Sequence, residues 1–247
     1  MKRITYQDQL NAELKKLGFK RKNMHIFLRN NGQAIQELRF DSKSGVVKHS
    51  IEYTIYVRVY FPFISDISNQ IEMHLSSTVG QQNIGTLYPK KRQASWIVSP
   101  NEKGDEIVIN TDFYSKYSIT PPFVGSLDDV IDDMVSSIKK YAIPFLDKYS
   151  VMSNVISRYE GGDKQIADEE LVSLLYLNEH GKSASLEFLE KTLKHLRETE
   201  PKEETMTVKK TKTENAEIIH IEVRGGRLKQ FEEFVVKYRK YVEEIGK

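Results

Sequence analysis

Cysteine is absent from the 247 residues of this sequence. Its absence excludes disulfide bridges, thiolate zinc sites, iron–sulfur clusters and a cysteine nucleophile. Long apolar runs are missing as well, since no stretch reaches the roughly 18 apolar residues that a membrane span requires. Residues 1–6 lead into a polar helical pattern and not into the apolar core of a signal peptide. We therefore expect a soluble, cytoplasmic protein with no membrane partner.

A strong net charge is also lacking. The sequence has 37 basic and 35 acidic residues, which leaves a formal charge of +2. A charge this small creates no overall field that would attract nucleic acid or an anionic membrane. With 39% hydrophobic residues, the composition is that of a folded chain.

The first 63 residues predict a helix followed by antiparallel strands. Thr5 can cap the helix and Gly18 can end it. The pair Asn31-Gly32 predicts a hairpin turn, because both residue types tolerate positive φ. Residues 51–61 then alternate between apolar and more polar side chains, which is the pattern of a strand with one buried face.

The following segment predicts further short elements. A short helix is expected within residues 65–76, and β-rich runs occur at 95–98 and 106–109. Ser126, with Asp129 three residues later, predicts the start of the longest helix. Pro144 is expected to kink or end that helix, since proline lacks a backbone N–H.

These elements predict an α+β fold, with an antiparallel sheet of four to six strands, helices packed on one face and a mainly helical C-terminal extension. We divide the chain into an α+β domain at 1–150, a helical segment at 151–200, a linker at 201–216 and a strand plus amphipathic helix at 217–247. The linker interpretation rests on Met206 and Val208, the only large apolar residues in that segment.

Several of these features resemble a known family. They are the helix end and first strand at Leu17-Gly18-Phe19-Lys20-Arg21-Lys22, the long strand into Tyr60-Phe61-Pro62, and the segment Tyr141-Ala142-Ile143-Pro144-Phe145-Leu146. Over roughly the first 150 residues the sequence resembles the bacterial domain of unknown function numbered 4304. The resemblance implies an α+β module of bacterial cytoplasmic proteins, some of which serve as immunity proteins against toxins.

No catalytic or metal-binding motif is evident, so we expect no cofactor and regard an enzyme as disfavoured. The six histidines are dispersed and show no zinc-ligand spacing. The densest carboxylate group is Asp128, Asp129, Asp132 and Asp133, which fits a helix N-terminus better than a Mg²⁺ site. Gly225-Gly226-Arg227 lacks the full spacing of a phosphate-binding loop, and a Gly-x-Ser-x-Gly elbow is absent.

The long strand supplies the candidate interaction surface, which consists of Tyr56, Arg58 and Tyr60. Aromatic and arginine side chains give large contact areas and directional hydrogen bonds. The alternative is that these tyrosines form a second packing layer beneath the C-terminal helix.

We expect a non-catalytic protein-binding module, with toxin neutralisation as its concrete form. A nucleic-acid-binding accessory protein is the alternative, because basic groups occur at Lys15–Lys22 and just before Trp96. A small-molecule hydrolase or transferase is a third and weaker alternative.

Overall fold

The computed structural model describes residues 6–44, 51–89, 94–98, 123–200, 205–213, 216–224 and 226–245. The chain divides into two compact units, one of residues 1–62 with 77–166, and the other of residues 63–76 with 167–247. This division differs from the predicted boundary at 150, because residues 151–166 belong to the first unit and residues 63–76 group with the C-terminal part. Helical periodicity identifies an apolar face but not the element that covers it.

In chain order the elements are α1 (Tyr6–Lys16), β1 (Lys20–Arg21), β2 (Ile26–Asn31), β3 (Ala34–Ser44), β4 (Ile51–Tyr60), α2 (Pro62–Gln70), β5 (Thr78–Asn83), a 3-10 turn (Ile84–Leu87), β6 (Trp96–Val98), β7 (Phe123–Gly125), α3 (Leu127–Ser137), a π-helical segment (Ile138–Ala142), α4 (Ile143–Tyr149), α5 (Met152–Glu160), α6 (Glu169–Thr199), β8 (Thr205–Thr213), β9 (Ala216–Arg224) and α7 (Gly226–Glu244).

The first unit contains a mixed sheet. Among the described residues it has seven strands in the order β1-β2-β3-β4-β6-β7, with β5 also paired to β4. All of these pairs are antiparallel except β6 and β7, which are parallel. The α+β class is confirmed, although the sheet is larger than expected and not wholly antiparallel. The second expected run, at 106–109, lies outside the described residues.

Helix α1 buries Leu10 and Leu14 and ends as predicted at Gly18, which has φ +84°. The Phe19 N–H donates to the Leu14 carbonyl and the Gly18 N–H donates to the Lys15 carbonyl, both at 3.0 Å. This pair of bonds is the Schellman arrangement that satisfies the last carbonyls of a helix. The chain is thereby turned directly into the sheet.

The predicted β2–β3 hairpin is present, but its turn lies one residue later than expected. Asn31 pairs with Ala34, so the loop consists of Gly32 and Gln33. Of the two residues proposed for positive φ, only Gly32 adopts it, at +61°. A glycine at the first loop position is what a type II′ turn requires.

Strand β4 has the predicted buried face. Ile55, Val57 and Val59 are fully inaccessible to solvent, which confirms the alternation from residue 55 onward. At the start of the strand the prediction is wrong, because Ile51 is exposed and Glu52 is buried. Gln36 lies opposite Val59 in the register, and its side-chain amide donates to Asp147 of α4 at 2.9 Å. Helix α4 therefore covers this face of the sheet.

Helix α3, the π-helical segment and α4 follow one another without a break, and we call them the long helix. The long helix begins as predicted at Ser126, whose hydroxyl and the Asp129 carboxylate form a reciprocal capping box. Pro144 does not end it. The π-helical segment 138–142 comes immediately before, and α4 continues to Tyr149. A wider π turn provides a way to accommodate the missing proline N–H within one continuous helical path.

In the second unit, helix α6 is broken at Gly181, where φ is +83° and ψ is −178°. This conformation is almost restricted to glycine, and it separates the helix into two parts. The expected helix at 65–76 is shorter, because α2 ends at Gln70.

The predicted linker at 201–216 is wrong for its described residues. Thr205–Thr213 forms β8, which pairs antiparallel with β9 along its whole length. The segment has few large apolar residues, but it is rich in threonine, which favours strands. Pairing to a neighbouring strand supplies backbone hydrogen bonds that low hydrophobicity does not prevent.

Candidate interaction surface

Tyr56, Arg58 and Tyr60 lie on the face of β4 opposite the buried Val57 face, and all three are half-buried. The register places them in rows that cross the sheet. Leu28, Glu37 and Arg58 form one row, and Ile35 and Tyr60 belong to the next. We call Leu28, Glu37, Tyr56, Arg58, Tyr60 and Gln81 the Arg58 surface.

Glu37 is the centre of this surface and is almost completely buried, with 1% of its side chain exposed. Arg58 Nε lies 2.7 Å from Glu37 Oε1, an ion pair without the alignment of a straight hydrogen bond. The Tyr60 hydroxyl donates a hydrogen bond to Glu37 Oε2. One buried carboxylate thus holds the ends of two half-exposed side chains.

Arg58 is restrained by two further contacts. Its Nη1 donates to Gln81 Oε1 at 3.1 Å, and its guanidinium lies 5.1 Å from the centroid of the Tyr60 ring. Stacking on an aromatic face and pairing with a carboxylate are both geometries that suit guanidinium. The arginine head is therefore fixed while 22% of its side chain remains accessible.

Sequence reasoning identified Tyr56, Arg58 and Tyr60 but missed Glu37. A glutamate in a strand is normally assigned to solvent, because charged side chains are rarely buried without a partner. Its role follows from the pairing of β3 with β4, whose register places Glu37 opposite Arg58. The connection between β3 and β4 had no predictable length, so that register was not determined.

Charges on this face occur as pairs. Beside the Glu37–Arg58 pair, Arg39 Nε lies 2.8 Å from Asp41 Oδ1. The pKa of Arg39 is raised by its hydrogen bond to Asp41 and by the negative charge of that residue. The two arginines of this face are therefore each paired with a carboxylate, whereas Lys20, which lies opposite Leu28, is exposed.

The carboxylates of α3 serve the structure of the first unit. Asp129 caps the helix, Asp133 Oδ2 accepts a hydrogen bond from Trp96 Nε1 at 2.7 Å, and Asp128 Oδ1 accepts one from Gln9 at 3.0 Å. In the part of the chain that the structure describes, no three histidine or acidic side chains are grouped to hold a metal ion. The helix-terminus interpretation is confirmed for Asp129.

The basic groups proposed for nucleic-acid binding are only partly described. Lys15, Lys16, Lys20, Arg21 and Lys22 are all exposed, whereas Lys90–Arg92 lies outside the described residues. Trp96, the aromatic residue expected to stack on a base, is 1% exposed. It is a core residue and is not accessible to a nucleic acid.

A second charged cluster lies in the other unit. Arg227 Nη1 donates to Glu170 Oε1 at 2.5 Å, and its Nη2 contacts both Glu169 and Glu170. Burial opposes the charge of Arg227, but its bonds to these carboxylates raise its pKa above the usual range. Burial raises the pKa of Asp168, and the charge of Glu170 adds to this. The cluster joins the start of α6 to the start of α7, so it is a structural ion pair.

Comparisons with known proteins found no match: no family model, no curated protein and no solved structure is significantly similar to this chain. Among the described residues, no helix combines the length and apolarity needed to cross a membrane.

Proposed function

We propose that this protein is a non-catalytic, cytoplasmic protein-binding module whose partner binds to the Arg58 surface. The observation that carries the proposal is the buried Glu37 carboxylate, which holds both Arg58 and Tyr60. Arginine and tyrosine are enriched at the energetic centres of protein interfaces. Side chains that are already fixed lose less entropy when a partner binds, so more of the contact energy contributes to affinity.

Charge balance favours a protein partner over a nucleic acid. A nucleic-acid site gains much of its affinity from cations that neutralise phosphates. Arg58, the cation of the Arg58 surface, is already paired with Glu37, and the neighbouring Arg39 is paired with Asp41. The exposed Lys15–Lys22 group remains the alternative site for a nucleic acid. Binding there would weaken steeply with rising salt concentration.

The most concrete form of the proposal is neutralisation of a bacterial toxin. Its support is the resemblance of roughly the first 150 residues to the bacterial domain of unknown function numbered 4304. A toxin gene adjacent to this gene would supply the candidate partner. Co-expression would then restore growth of cells that produce that toxin, and replacement of the Arg58 surface would abolish the rescue.

The direct test is affinity purification from the organism that makes the protein, followed by quantitative mass spectrometry. The main variant combines Arg58→Met with Glu37→Gln, which removes both charges without leaving a buried carboxylate unpaired. A second variant, Tyr56→Ala, removes contact area while leaving the ion pair intact. We expect each variant to reduce recovery of the partner about tenfold or more, as replacement of a central interface residue does.

The matched control is Arg158→Met with Asp163→Asn. This pair also lies in the first unit, with a closest contact of 2.5 Å, and both residues are part-exposed. Its removal should leave partner recovery unchanged. Equal recovery with the wild-type protein and both surface variants would contradict the proposal, provided that melting temperatures show all proteins to be folded.

A further inference from the structure

A cavity of about 210 Å³ lies at one end of the buried face of the large sheet, and we call it the Ser42 cavity. Its floor consists of Leu10 from α1, Phe27 from β2 and Phe40 from β3, which are each at most 2% exposed. Its rim contains four exposed residues, which are Met24, His25, Ser42 and Ile51. Because the Arg58 surface is on the opposite face of the sheet, the Ser42 cavity is a separate site.

The sequence of β3 explains why space is left at this position. Side chains two residues apart in a strand share a face, so Leu38, Phe40 and Ser42 follow one another along the buried face. Leucine and phenylalanine fill their positions, whereas the serine side chain is much smaller. Ser42 lies opposite Tyr53 of β4, which forms another wall of the cavity. Protein interiors contain few voids larger than a water molecule, so the Ser42 cavity is large enough to hold a small ligand.

The walls favour an apolar ligand without charge. The floor side chains are hydrocarbon only, whereas a buried water molecule needs about two to four polar partners. None of the described residues that line the cavity is acidic, lysine or arginine, so an ion would lose its hydration without gaining an opposite charge. Burial raises the pKa of the Tyr53 phenol, as a wall with little access to water does.

His25 supplies a hydrogen-bond acceptor at the rim. Its Nδ1 lies 3.0 Å from the Phe40 carbonyl oxygen, which can only accept, so Nδ1 carries the proton of the neutral ring. Nε2 is then the acceptor. The backbone of His25 is held as well, because its N–H donates to Asn23 Oδ1 at 2.8 Å and its carbonyl accepts from the Phe40 N–H at 2.7 Å. The histidine is therefore fixed at the rim before a ligand binds.

We propose that the Ser42 cavity binds a small phenol, that is, a neutral molecule with one aromatic ring and one hydroxyl group. The ring packs against Phe27 and Phe40, whose own rings meet edge to face with centroids 5.4 Å apart. The hydroxyl donates to His25 Nε2. An engineered cavity of about 150 Å³ binds benzene, so one of about 210 Å³ accommodates a ring with small substituents.

The test is methyl NMR of the full chain, titrated with p-cresol and, for comparison, with toluene, which lacks the hydroxyl. We expect saturable shifts of the methyl signals of Leu10, Met24 and Ile51. The Kd of p-cresol should be on the order of 10⁻⁴ M, a reasonable value for a ligand of this size. The methyl signals of Val236 and Ile245, which are exposed in the other unit, should not move.

Two variants separate the roles of the cavity and of the histidine. Ser42→Leu fills the cavity from β3 and should raise the Kd of both ligands about tenfold or more. His25→Asn keeps a donor for the Phe40 carbonyl but removes Nε2, so the Kd of p-cresol should rise about fivefold while that of toluene stays within about twofold. His74→Asn makes the same substitution at an exposed histidine of the second unit and should change neither Kd.

Three results would overturn the proposal. The first is the absence of saturable shifts up to roughly 10 mM p-cresol, far above the expected Kd. The second is an equal shift of the Val236 and Ile245 signals, which indicates non-specific adsorption. The third is a loss of affinity in His25→Asn that is the same for toluene as for p-cresol. Melting temperatures establish that the variants are folded, and the His25→Asn comparison decides the question even if Ser42→Leu unfolds.

Discussion

Tyr238 shows how one polar atom is accommodated in the core of the second unit. Its hydroxyl lies 2.6 Å from Ser185 Oγ, and Ser185 donates its own proton to the Ser173 carbonyl at 2.7 Å. The Tyr238 hydroxyl also lies 3.4 Å from the Ser173 carbonyl, so both hydroxyls have this carbonyl as an acceptor. Burial raises the pKa of Tyr238 above its usual range, because a phenolate at this position would lose its hydration.

This arrangement predicts a loss of stability in alkaline solution. In the folded state Tyr238 stays protonated, whereas in the unfolded state it ionises above about pH 10. The unfolded state then binds fewer protons, so the free energy of unfolding falls as pH rises above that value, by up to about 1.4 kcal/mol per pH unit. Tyr238→Phe should make the decline of the melting temperature between pH 9 and 11 shallower than in wild type.

Ser185→Ala is the control for this experiment. It removes the same hydrogen bond but keeps the phenol, so the alkaline decline should persist. If Tyr238→Phe and wild type decline with the same slope, the buried phenol does not govern the alkaline limit.

At the scale of elements, the long helix depends on how it starts and how it passes Pro144. The capping box between Ser126 and Asp129 satisfies N–H groups that have no partner within the helix. The π-helical segment then provides the transition before the proline. This helix supports the buried face of the sheet, so its stability affects the strand that carries the Arg58 surface.

Ser126→Ala should lower the free energy of unfolding by about 1 kcal/mol, the usual cost of losing an N-terminal cap. Ser136→Ala makes the same substitution at an exposed position inside the same helix, where alanine is the better helix former. It should leave stability unchanged or raise it slightly. Chemical denaturation of both variants measures the difference, and equal stabilities would argue against the capping role.

At the scale of the molecule, local pattern predicted most elements but not their partners. The burial of Val57 could be predicted because one face of β4 packs against the core, and the alternation of apolar and polar residues along the strand indicates that face. The strand at 205–213 could not, because pairing with β9 compensates for its low hydrophobicity. Glu37 was missed for a related reason: its role depends on a register between strands joined by a connection of unpredictable length.

The grouping of residues 63–76 with the C-terminal part was equally hidden, since the spacing of Ile67 and Ile71 shows an apolar face but not what covers it. The candidate site was thus half predictable. Tyr56, Arg58 and Tyr60 followed from alternation, while the carboxylate that organises two of them required the assembled sheet.

The most direct measurement of the central claim is photo-crosslinking in living cells, with the photoreactive residue p-benzoylphenylalanine in place of Tyr56. Tyr176, half-buried in the second unit, provides a control position for the same substitution. If the Arg58 surface is a protein interface, irradiation will yield an adduct between this chain and a different polypeptide at position 56 and not at position 176. Crosslinks at position 56 that occur only within the chain itself would contradict the account and identify the surface as a second packing layer.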